Sequence, residues 1–156
     1  MHEISAIVAS DNDSATICAS IGGAQRVRAR GSWWIVPLSS DVANHVFGTG
    51  LSLPDLEDPV EATQLTNAIA PLTEALSRLP LRGAVALVFT QYSGGTGAQA
   101  AAVVREGALV SGPTVKKDAI DEALAHLGVQ PEPGQDLFDS VGLGQWRSMD
   151  DLAGAG

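Results

Sequence analysis

The alternation of apolar and polar positions divides the chain into short strands and amphipathic helices. Glu3 to Ala9 reads as a first strand, with Ile4, Ala6 and Val8 alternating against Ser5 and Ile7. Asp11-Asn12-Asp13-Ser14 offers N-cap oxygens, and Ala15 to Ile21 reads as a short helix stopped by Gly22-Gly23. Gln25 to Arg30 and Ser32 to Leu38 follow as two strands separated by Gly31. Trp33-Trp34-Ile35-Val36 is strongly strand-forming, while Pro37, lacking a ladder donor, marks an edge or a strand end. Ser39-Ser40-Asp41 caps a brief helix through Val46, ended by Gly48. After a loop from Gly48 to Glu57, Asp58-Pro59-Val60-Glu61 has the form of a capped helix start. Leu65, Ile69, Leu72, Leu76 and Leu79 then share one face of a helix running towards Arg78. Pro71 either kinks that helix or opens a second one.

In the second half, Leu81 to Thr90 is the core strand. Its run Ala84 to Phe89 is continuously apolar, as a strand covered on both faces requires. Ala98 to Arg105, the hairpin signal Glu106-Gly107, and Ala108 to Ser111 complete an antiparallel meander. A last helix is predicted over Lys117 to Leu127, with Gly128-Val129 as a left-handed cap and its hydrophobic contact. Phe138, Val141, Leu143 and Trp146 are too apolar for a free tail, so this segment is expected to pack back, leaving 151–156 to fray. The order β-α-β-β-α-α-β-β-β-α predicts a single α+β domain over 1–150. Its sheet is expected to be antiparallel or mixed, of about five to six strands, with helices mainly on one face.

Charge changes the picture more than hydropathy does. Hydrophobic residues make up 45% of the chain and charged residues 17%, a globular balance, but 18 acids face 9 bases for a net charge of −9. Affinity for a phosphate backbone comes from Lys and Arg, so nucleic acid is disfavoured and a basic protein partner favoured. No apolar run approaches about 18 residues and no signal-peptide pattern opens the chain, so no membrane span and a cytoplasmic location are expected. Cys18 is the sole cysteine, which excludes an intramolecular disulfide, and its apolar neighbours predict a buried, inert thiol.

Candidate chemistry is sparse. The loop Ser93-Gly94-Gly95-Thr96-Gly97 could form an anion nest of backbone amides, with Arg105 or Arg147 beside it. It lacks the lysine of a P-loop, and a five-residue hairpin turn is the favoured reading. His2, His45 and His126 are scattered without a metal-ligand pattern, and there is no Gly-x-Ser-x-Gly elbow, so neither metal, cofactor nor catalytic residue is expected. Arg26, Arg28 and Arg30 recur at period two and project from one strand face. They can bind a carboxylate or phosphate partner, or guard an exposed sheet edge. Trp33 and Trp34, adjacent on a strand, must point to opposite faces.

The stretch Phe89-Thr90-Gln91-Tyr92-Ser93-Gly94-Gly95-Thr96-Gly97-Ala98-Gln99-Ala100 resembles a pattern in small uncharacterised actinobacterial proteins, as does the ending Phe138 to Arg147. Such proteins are similar to the immunity partners of secreted or contact-delivered bacterial toxins. The resemblance covers residues 81 to 147 and implies a non-enzymatic inhibitor that occludes the active site of a cognate toxin. Its contacts are expected at Asp55, Glu57, Asp58, Tyr92, Asp136, Asp139, Trp146 and Arg147. The alternative expectation is a small-molecule or phosphate-binding domain, or a small enzyme, built on Ser93 to Gly97. A third is a homo-oligomer with its second tryptophan buried at the subunit contact.

Overall fold

The computed structural model describes residues 2–48, 53–54, 56, 62–93 and 96–143. Its elements in chain order are β1 (His2–Ser10), α1 (Asp11–Ser20), β2 (Val27–Arg28), β3 (Trp33–Pro37), α2 (Ser40–Phe47), α3 (Ala62–Ser77), β4 (Val85–Ser93), β5 (Thr96–Arg105), β6 (Ala108–Val115), α4 (Ala119–Leu127) and α5 (Leu137–Ser140). One antiparallel sheet runs β2-β3-β1-β4-β5-β6, so the first strand lies near its middle and β2 and β6 form its edges. The fold is α+β.

The sheet divides the apolar side chains into two cores. Ile7, Ala9, Val36, Val85, Leu87, Phe89 and Val104 face α1, α2 and α3. Ile4, Ala6, Val8, Ile35, Val88 and Val103 face α4 and α5. Helical cover is thus mainly on one face, with a lighter layer opposite. The continuous apolar run of β4 follows directly, because successive side chains alternate between the two cores.

Helix α3 explains its own burial. Leu65, Ile69, Leu72 and Leu76 are fully buried at helical spacing, and truncating one to alanine in such a core costs about 2–5 kcal/mol. Pro71 lies inside this helix on its exposed side, so α3 continues through the proline. The capped start at Asp58 to Glu61 lies outside the described residues.

Several boundaries differ from the sequence reading, each for a local reason. Helix α1 begins at Asp11, four residues early, because Ser10 is the N-cap and its hydroxyl accepts the Asp13 N–H at 3.2 Å. Strand β2 shrinks to two residues at the sheet edge. Strand β6 extends to Val115, past register shifts between Ala101 and Val104 of its neighbour β5. Pro37 ends β3, which is an inner strand. Helix α4 closes in a Schellman motif. Gly128 (φ 89°) and Val129 donate to the carbonyls of Ala125 and Leu124, and Val129 and Leu124 share a core.

Candidate functional site

The β4–β5 hairpin collects the features that the sequence singled out. Ser93 pairs with Thr96 and Tyr92 with Gly97, so the glycine loop closes an antiparallel hairpin between two strands rather than opening a helix. Gly94 and Gly95 themselves lie outside the described residues. A Cβ at Gly97 would stand 2.1 Å from the Gln91 carbonyl oxygen and 2.8 Å from the Tyr92 ring, so this glycine lets the tyrosine and its backbone lie across the partner strand.

Two glutamines organise this end of the sheet. Gln99 is buried, donates to the Tyr92 hydroxyl at 2.7 Å, and accepts the Ile120 N–H at 2.8 Å. It therefore fastens the first turn of α4 to the sheet and fixes the half-buried tyrosine beside it. Gln91 acts on the opposite face. Its Oε1 accepts the N–H of buried Leu56 at 2.9 Å, which holds the loop before α3 against the strand. Leu56 is the chain neighbour of Asp55 and Glu57. These two acids and Asp58, Trp146 and Arg147 lie outside the described residues.

The segment after α4 is a hydrogen-bonded frame carrying exposed acids. Asp121 Oδ1 accepts the Phe138 N–H at 2.9 Å. The Ser140 hydroxyl accepts the Glu132 N–H at 2.8 Å and donates to the Asp136 carbonyl at 2.6 Å. Phe138, Val141 and Leu143 pack on the α4 core, as their apolarity predicted. Glu132 and Asp136 are exposed on this frame, and Asp118 is exposed at the start of α4. The Asp139 side chain is not among those described. Tyr92 and Asp136 thus belong to one assembly, since Gln99 and the acidic frame attach to consecutive residues of α4, Ile120 and Asp121.

Part of the charge around this frame is paired, since Lys116 faces Asp118 as well as Glu122. Lys116 meets Glu122 at 2.6 Å, a hydrogen bond that raises the ammonium above the ordinary lysine value. Arg105 reaches back to the His126 carbonyl at 3.5 Å. Sequence reasoning missed both glutamines. Their signal was an amide side chain directly beside the apolar runs of β4 and β5.

Elsewhere, a cleft of about 370 Å³ lies between the end of α1, α2 and α3. His45 and the Glu74–Arg78 ion pair, 2.6 Å apart, stand at its wall. None of the predicted contact residues lines it. Among the described residues no group of three His, Cys, Asp or Glu is placed to hold a metal ion, and no helix is long and apolar enough to cross a membrane. No family model matches the chain, and no curated protein or solved structure does.

Proposed function

We propose that this chain is a protein-binding domain of the immunity type, neutralising a basic bacterial toxin by covering its active site. The observation that carries this reading is the exposure of Asp118, Glu132 and Asp136 on a frame fixed by Gln99, Asp121 and Ser140, in a chain of net charge −9. Pre-ordered side chains lose little entropy on association, and opposite charge accelerates encounter. The tyrosine beside the frame supplies the amphipathic anchor that such interfaces favour. The toxin's catalytic chemistry needs no counterpart in the inhibitor, which works by occupying surface.

The test is direct. Where a toxin-like protein is encoded beside this gene, it is purified and titrated with the chain while its activity is followed. Stoichiometric loss of activity supports the reading. Full activity at saturating inhibitor, with no complex on a sizing column, refutes it.

A further inference from the structure

The cleft between α1, α2 and α3 brings charges of both signs beside an apolar lining. It holds about 370 Å³, and Ser20, His45, Glu74 and Arg78 supply its polar wall. Ile21, Val46, Ala75 and Leu79 supply the apolar part; Ile21 is buried and the other three are half-buried. None of Asp118, Glu132 and Asp136 lines it, so it is separate from the acidic frame. Local chain geometry builds it. Ile21 closes α1 by donating its N–H to the Ile17 carbonyl at 2.9 Å, and Gly22 follows. A Cβ at Gly22 would stand 2.9 Å from His45 Nδ1, so this glycine lets the imidazole lie against the turn and close that side of the cleft.

The charges on the wall are balanced rather than of one sign. Arg78 Nη2 donates to Glu74 Oε1 at 2.6 Å. Among the described residues this is the one bond between the two side chains, so most of the donors of the guanidinium and the second carboxylate oxygen are unspent. Helices α1 and α2 both end at the cleft, and the carboxyl-terminal ends of helices carry partial negative charge. Helix α1 has no basic residue in its last turn, while His45 stands in that of α2. A pure anion meets those helix ends and a chain of net charge −9. A pure cation meets the Arg78 guanidinium. A small molecule with one charge of each sign close together matches both.

We infer that this cleft binds a free neutral α-amino acid with an apolar side chain. The carboxylate of the ligand takes the open N–H groups of Arg78, a charge-assisted contact whose planar geometry a guanidinium suits. Its ammonium donates to Glu74 and to the carbonyls at the helix ends. Its side chain covers Ile21, Val46 and Leu79 and adds apolar burial to the two polar contacts. The volume lies near the lower end of the roughly 300–1,000 Å³ usual for ligand clefts, which suits one amino acid better than a nucleotide. At helical spacing the Glu74–Arg78 pair also supports α3 on its own. The two roles separate on the ligand, because a purely structural pair gives no binding that depends on both charges.

The experiment titrates the full chain, isotopically labelled, with L-leucine and follows its amide signals by NMR. Leucine is expected to shift the amides of Ile21, Val46, Ala75 and Leu79 and to saturate. Isocaproate lacks the ammonium, isoamylamine lacks the carboxylate and glycine lacks the side chain. Each should bind at least about tenfold more weakly than leucine. Glu74→Gln and Arg78→Gln should each weaken leucine by roughly tenfold, whereas Arg105→Gln, remote from the cleft, should leave it unchanged. Ala75→Leu fills the lining and keeps both charges, and it should abolish binding. Circular dichroism confirms that each variant folds. No saturable shift at these four amides with leucine, valine or phenylalanine overturns the inference. So does isocaproate or isoamylamine binding as tightly as leucine, or wild-type affinity in Glu74→Gln and Arg78→Gln.

Discussion

The Asp13 carboxylate accepts the backbone N–H of Gly83 at 2.9 Å across seventy residues of sequence, and its other oxygen accepts the N–H of Arg82 at 2.8 Å. This carboxylate is 1% exposed. It holds the entry to β4 against α1 and thereby ties the two halves of the chain together. Replacing Asp13 by alanine removes a doubly bonded charged acceptor and leaves two amides without their partner. The expected loss is about 3 kcal/mol of unfolding free energy, read as a lower urea midpoint. Asp11→Ala, at an exposed ion pair with Arg26, should lose less than about 1 kcal/mol in the same assay.

Gln99 predicts a local effect rather than a global one. In Gln99→Leu the Ile120 amide loses its acceptor and the Tyr92 hydroxyl loses the Gln99 amide, at a cost of about 1–3 kcal/mol. Hydrogen exchange should accelerate at the first turn of α4 and at the hairpin end. Amides in the middle of β1 should change only by the global loss. Uniform acceleration everywhere would contradict the clamp.

Two glycines separate conformational strain from steric exclusion. Gly128 has a left-handed backbone with nothing within 4 Å of an added Cβ, so Gly128→Ala should cost only about 1 kcal/mol. Gly97→Ala instead drives a methyl into the Gln91 carbonyl and the Tyr92 backbone, at 2.1 and 2.5 Å. It should cost several times as much and unpair the hairpin end, which thermal melting of the two variants compares directly.

The thiol of Cys18 gives a pH prediction. Desolvation by burial raises it above the ordinary thiol value, and the positive charge of Arg26 partly opposes the rise. A raised folded value means that less thiolate is present at mildly alkaline pH, so alkylation by iodoacetamide should be slower than for a short unfolded peptide of the same sequence. The native protein binds this proton more tightly, so the group's contribution to stability is complete below the unfolded value and is lost as pH rises through the folded one. Arg26→Ala should raise the thiol further. An alkylation rate equal to that of the peptide throughout the alkaline range would contradict the assignment.

Much of the architecture was legible because it is encoded locally. The alternation in β1, the apolar run of β4, the Leu65 to Leu76 stripe and the Gly128 cap each specify an element within a few residues, and together they give the observed order with only the short α5 added. The opposite facing of the tryptophans followed from the strand period alone: Trp33 packs on the α4-side core while Trp34 carries the guanidiniums. What stayed hidden depends on partners far along the chain. Asp13 read as one of several capping oxygens, yet its carboxylate serves amides at 82 and 83. Gln99 read as an ordinary strand residue and Gln91 fell just past the predicted strand end, and only the folded sheet brings Ile120 and Leu56 to them. The candidate site was legible in part, as Tyr92 and Asp136, whereas the side chains that fix their frame became visible only in three dimensions.

In the function proposed above, exposed acids on a fixed frame receive a basic toxin. The decisive measurement is the association rate with such a toxin, where one is encoded beside this gene, for the wild-type chain and for Glu132→Lys combined with Asp136→Lys, at low and high salt. The account predicts fast, salt-sensitive association for the wild type and a rate reduced by roughly tenfold or more in the charge-reversed chain, with the difference shrinking as salt screens it. Equal rates for both chains at low salt, with the toxin still bound, would contradict it.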